Sequence, residues 1–212
     1  MDKAYLAPAE ILYRRAAAIR AVRGEEMNPF SRALEVLDRV ATEVGPVAIV
    51  GGLAGIHHRA LVTTLDIDIV VAAHQIDEFL SAAERHGLAV KQRSQQGWHI
   101  LEYQDPDGAV AIHIVPEGQK TPRDPAQAPP VPSPQSLGVE QGLGYASFAG
   151  WAVLKLVANR EKDRYHLIEA LKQADQQQVS EVVVALRRLP PNYLKEFERL
   201  VRAAEEERQE NW

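Results

Sequence analysis

Two aspartates stand inside an apolar strand: in LDIDIVVA, residues 65–72, Asp66 and Asp68 alternate with Ile67 and Ile69. No other feature constrains the chain as much. Successive side chains of a strand point to opposite faces, so Asp66 and Asp68 share one face and the isoleucines the other. Two carboxylates that close repel each other, and an apolar setting makes that costly unless a cation, donors or water offset it. A hard divalent cation such as magnesium meets the need, because it takes oxygen ligands and commonly bridges carboxylates to substrate phosphates.

The segment just upstream, VAIVGGLAGIHHRA, reads as a strand, a glycine pair and a helix of about two turns. Without side chains, Gly51 and Gly52 let a phosphate approach the backbone, and the following helix directs free N–H groups at it. Taken singly, the glycines are a tight turn and the aspartates a solvated strand face. Taken together they supply both halves of a metal–nucleotide site.

The surrounding chain predicts an α+β protein. Apolar residues recur at helical spacing from Leu6 to Val22, and a second helix enters at Asn28 and Pro29 and ends near Gly45. After LDIDIVVA come a helix in QIDEFLSAAERHG and three strands, LAVKQRS, WHILEY and AVAIHIV, the last two joined through the turn QDPDG. Residues 116–145 carry Pro122, Pro125, Pro129, Pro130, Pro132 and Pro134, and read as an extended connector over the surface. From Ser147 onward the sequence is helical. The expected organisation is a helical extension over 1–27, a core domain over 28–176 that contains the connector, and C-terminal helices over 177–212.

With 212 residues, the chain can bury a sizeable core. Its net charge of −5 argues against a surface that grips nucleic acid throughout. The absence of cysteine excludes disulfides and thiolate metal sites. The opening MDKAYLAPAEILYRR lacks the apolar run of a signal peptide, and no run is long enough to cross a bilayer, so a cytoplasmic protein without membrane contact is expected.

An apolar residue, Gly-Gly, a short helix and Asp-x-Asp in an apolar strand resemble the signature of the nucleotidyltransferase superfamily, the polymerase-beta-like fold. Thirteen residues separate Gly52 from Asp66, within that signature's range, and Thr64 completes a T-x-D-x-D pattern. Further on, LKLVANREKDRYHLIEAL resembles the helix pair of the AbiEii-like branch, known from toxin components of toxin–antitoxin systems. The resemblance spans about residues 30–175. It implies a small mixed sheet flanked by helices, with Gly51, Gly52 and Thr64 at the triphosphate, Asp66 and Asp68 on Mg2+, and Lys155 at the phosphates. Arg160, Lys162 and Asp163 match its second motif; Arg160 and Asp163, three apart, could equally pair to support a helix.

The sequence departs from that pattern at one position. Active members carry a third carboxylate on a later strand, and here His113 of AVAIHIV stands in its place. Histidine can accept a proton but is a poor magnesium ligand. Glu102 and Glu117 are the nearby acids that could substitute, and loss of catalysis is the third outcome. The expected activity is magnesium-dependent transfer of a nucleotidyl group from a nucleoside triphosphate to an acceptor hydroxyl on RNA or protein, with an antitoxin as the implied partner. The rival is a noncatalytic nucleotide-binding or protein-interaction module.

Overall fold

The computed structural model describes residues 8–25, 27–60, 63–93, 98–120 and 128–210. It contains one mixed six-stranded sheet and, among the described residues, eight α-helices. The strands are β1 (Val47–Val50), β2 (Asp66–Val71), β3 (Ala89–Arg93), β4 (His99–Tyr103), β5 (Val110–Pro116) and β6 (Leu143–Tyr145). Their order across the sheet is β3-β4-β5-β2-β1-β6. The central pair, β2 and β5, is parallel, while β1 runs antiparallel to β2.

Helices α1 (Pro8–Arg23), α2 (Pro29–Val44), α3 (Gly51–His57) and α4 (Ile76–Arg85) interleave with these strands. Helices α5 (Phe148–Ala158), α6 (Glu161–Leu171), α7 (Gln176–Leu186) and α8 (Pro191–Glu210) follow them. The caps of α2 are those expected of its sequence. The Asn28 side chain accepts from the N–H groups of Phe30 and Ser31, Pro29 takes the first turn, and Gly45 closes the helix at φ 127°.

The sheet separates two cores. Ile67, Ile69 and Val71 of β2 and Ile112 and Ile114 of β5 bury one face against Ala17 and Ala18 of α1, Leu37 of α2 and Phe79 of α4. The N-terminal helix thus shares the core of the residues after it. On the other face, Ala48, Val50 and Val70 pack toward α5–α8, around Trp151, Leu167 and Phe197. Arg32 of α2 holds the β4–β5 turn through two hydrogen bonds to the buried carboxylate of Asp105, at 2.6 and 2.8 Å.

The proline-rich connector departs from the expectation of an extended surface strap. Val131 is buried and exchanges backbone hydrogen bonds with residues 118 and 119, and Leu137 and Val139 enter the second core. The connector also contains β6, which the glycine of LGY conceals: Gly144 has no side chain to supply strand propensity, and the strand is made by pairing with β1. Pro122 and Pro125 lie outside the described residues.

Candidate functional site

The site is built where β1 gives way to α3 and where β2 begins. Register places Asp68 opposite His113 on the parallel neighbour β5, and opposite Val50 on β1. Asp66, Asp68 and His113 therefore project from one sheet face, with ligand atoms within 4.8 Å of one another. His113 Nδ1 lies 3.3 Å from Asp68 Oδ1 and 3.4 Å from Asp66 Oδ2. All three side chains are about one-third exposed, so the cluster opens to solvent at the rim of the second core. The hydrogen bond that His113 donates to Asp68 raises the His113 pKa above its ordinary value; burial opposes the rise and the charges of both carboxylates reinforce it.

Gly51 and Gly52 are coupled directly to this cluster. Gly51 sits at φ +63°, a conformation that L side chains rarely adopt, and a Cβ there would lie 1.9 Å from Asp68 Oδ2. A Cβ on Gly52 would lie 2.5 Å from the Cβ of Thr64. Thr64 is buried, and its hydroxyl donates to Asp66 Oδ1 at 2.6 Å. The room left by each glycine is thus filled by a site side chain. A larger residue at either place would move a carboxylate, one directly and the other through Thr64.

Trp151, which reads as a core residue from its helical spacing, has a second task. Its ring is fully buried, and its indole N–H donates to the Gly51 carbonyl at 3.0 Å, fastening α5 to the glycine turn. The only sequence signal for this role is its position one turn before Lys155 on the same helix.

Lys155 is 7% exposed and donates to Asp163 Oδ1 at 2.9 Å. Arg160 closes on the same carboxylate, with Nε 2.6 Å from Oδ2 and a second guanidinium nitrogen 3.2 Å from Oδ1. Asp163 is fully buried; burial alone would raise its pKa, but the Arg160 hydrogen bond and the Lys155 charge together hold it below the usual carboxylate range. Arg160 also feels the charges of Asp68 and Asp66, which add to the larger effect of Asp163 in raising its pKa. Lys162 is exposed beside this group and makes no hydrogen bond or ion pair among the described residues. His166 is pushed down to about 4 by burial first and by the neighbouring Lys155 next, so its ring is neutral at physiological pH.

Neither candidate substitute for the third acid joins the cluster. Glu117 follows β5 at its far end, where its carboxylate accepts from the Ala73 N–H, four residues along the chain from His113 and roughly 13 Å away at strand spacing. Glu102 lies on β4 opposite Ala111, so Ala111 stands between it and Asp66, and Lys91 binds it at 2.7 Å.

Two carboxylate oxygens and an imidazole nitrogen at this separation can hold a divalent cation. The oxygens suit a hard ion, and the nitrogen is a softer third donor. No model of a known protein family matches the chain. No curated protein matches it either. Among solved structures, it is similar to the one described as "Crystal Structure of ANT(2")-Ia in complex with adenylyl-2"-tobramycin", at 18% identity and a TM-score of 0.43, over 83% of this chain and 97% of that one. Among the described residues, no helix is long and apolar enough to cross a membrane.

Proposed function

We propose that the chain is a magnesium-dependent nucleotidyltransferase that moves a nucleotidyl group from a nucleoside triphosphate to an acceptor hydroxyl. The observation that carries this reading is the convergence of Asp66, Asp68 and His113 against the Gly51–Gly52 turn. Asp66 and Asp68 would hold the cation, which would neutralise phosphate charge and align the attacking and departing oxygens. Gly51 lies against Asp68 and Gly52 against Thr64, so a triphosphate bridged to the Asp68 carboxylate would rest beside the glycine turn. Thr64 fixes the Asp66 rotamer by its 2.6 Å hydrogen bond. Arg160, whose charge interacts with those of Asp66 and Asp68, would face the triphosphate, and Asp163, itself paired with Lys155, holds Arg160 and the start of α6 in place. His113 in its neutral form is the group placed to accept the acceptor's proton.

The match of residues 154–171 to the toxin-type helix pair supports RNA as the acceptor, a cytoplasmic setting and an antitoxin as protein partner. A second reading is favoured by one specific observation: His113 pairs with both carboxylates, as an internal cation would in a noncatalytic nucleotide-binding module.

The two readings are separated by incubating the chain with each labelled triphosphate, magnesium and pools of RNA and protein. Labelled acceptor that disappears in Asp66→Asn and in His113→Ala supports the transferase. A parent that is inert at every pH, yet is stabilised by magnesium and a triphosphate, supports the binding module.

A further inference from the structure

A second concave surface lies away from the carboxylate cluster, on the opposite face of the sheet and at its β6 edge. There a groove of about 580 Å³ runs between β6 and the outer side of α2. Leu34, Ile49 and Leu143 give it an apolar floor, with Tyr145 at the end of β6. Along α2, Ser31, Glu35 and Asp38 follow one another at four- and three-residue spacing and form one wall.

Three properties of this groove converge. First, among the described residues β6 pairs with β1 alone, so its outer edge carries backbone groups without a ladder partner there. Val47 donates to Gly142 O and Ala146 donates to Ile49 O, both at 2.9 Å. The alternation of a parallel ladder then turns the N–H and C=O of Leu143 and Tyr145 outward. Second, the wall facing that edge is acidic. Glu35 and Asp38 are exposed and have no ion pair among the described residues, while Glu25 at the other rim is 3.6 Å from Arg23. Asp38 overhangs the start of β6, its Oδ1 3.9 Å from where a Cβ on Gly142 would be. Third, the floor between edge and wall is apolar and open.

An open strand edge beside a helix, with an apolar floor between, is the arrangement by which extended peptides are added to a sheet. We propose that this groove docks an extended segment of a partner protein as a seventh strand beside β6. Every second side chain of the segment faces α2, and on that one face apolar residues lie over the floor while lysine or arginine meets Glu35 and Asp38. A second copy of this chain does not fit the charge: edge-to-edge pairing of two β6 strands would bring the two Glu35–Asp38 walls together. A basic segment removes that repulsion, and it suits a chain with a net charge of −5.

The test is selection of a displayed random decapeptide library on the full chain. Sequences carrying apolar residues and lysine or arginine at positions two apart, on one strand face, should be enriched. A synthetic peptide of the enriched sequence should bind at least tenfold more weakly to the Glu35→Lys, Asp38→Lys double variant, and equally well to Asp66→Asn. Hydrogen exchange at the Leu143 and Tyr145 amides should slow on binding, and a peptide N-methylated on alternate amides should fail to bind. Absence of enrichment overturns the proposal. So does affinity unchanged by the double charge reversal, or binding that leaves the Leu143 and Tyr145 amides unprotected. Spermine competing as well as the peptide would reduce the groove to a site for small cations and would equally overturn it.

Discussion

Two charged clusters face each other in this protein and are satisfied in opposite ways. The Asp66–Asp68–His113 cluster stands on an open sheet face, one-third exposed, with two like charges sharing one imidazole. The Lys155–Arg160–Asp163 cluster is closed: its carboxylate is fully buried and both of its oxygens accept from cationic donors. Folding completes the second cluster, since a buried charge persists only when paired. It leaves the first with negative charge that a bound cation would balance. On the proposed reading, stability belongs to α5 and α6 and ligand binding to β2 and β5, with Trp151 and Gly51 as the joint between them.

That comparison can be broken most forcefully at Asp163. Asp163→Ala leaves Lys155 buried without its partner and should cost about 3–5 kcal/mol of unfolding free energy in urea titrations. A loss below about 1 kcal/mol would show that the closed cluster does not support the fold.

Gly51→Ala tests the open cluster through its backbone. The left-handed conformation and the collision with Asp68 should together cost about 2–3 kcal/mol. Gly87→Ala, at φ +88° with nothing within 4 Å, isolates the conformational part, about 1 kcal/mol. The Gly51 variant should also lose any thermal shift from manganese, whereas the Gly87 variant keeps it. Equal destabilisation in both variants would mean that Asp68 does not press on Gly51.

Trp151→Phe examines the joint. It leaves the Gly51 carbonyl without its indole donor and should cost about 1–3 kcal/mol, with weakened manganese binding measured by electron paramagnetic resonance. Unchanged affinity in the folded variant would limit Trp151 to packing.

The smallest effects, in pH, have opposite signs in the two clusters. His113 has a raised pKa in the folded protein, so its contribution is full below the unfolded value of about 6.5 and fades as pH rises through the folded one. In cation-free buffer, the stability advantage of the parent over His113→Gln should therefore shrink with rising pH. Asp163 has a lowered pKa, so its contribution is full above the unfolded value of about 3.9 and is lost as pH falls through the folded one. Differences that move in the same direction for His113→Gln and Asp163→Asn would contradict the distinction between the clusters.

Much of this was legible in the sequence because it depends on local periodicity. Alternation alone placed Asp66 and Asp68 on one face of β2, and Asn28, Pro29 and Gly45 marked the ends of α2. The α+β class and the run of C-terminal helices followed from the same patterns. Register between distant strands, contacts across the fold and edge exposure have no such local signal. Packing of Ile67 and Ile69 with Ile112 and Ile114 fixes β2 beside β5, and only that register brings His113 to Asp68 and carries Glu117 away. Trp151 reaches Gly51 across one hundred residues because α5 closes the second core over the end of β1. The strand at Leu143–Tyr145 exists because β1 offers its free edge, a fact that no window of glycine-rich sequence contains. Side-chain periodicity is a property of the segment, whereas pairing and burial are properties of whatever the rest of the chain places beside it.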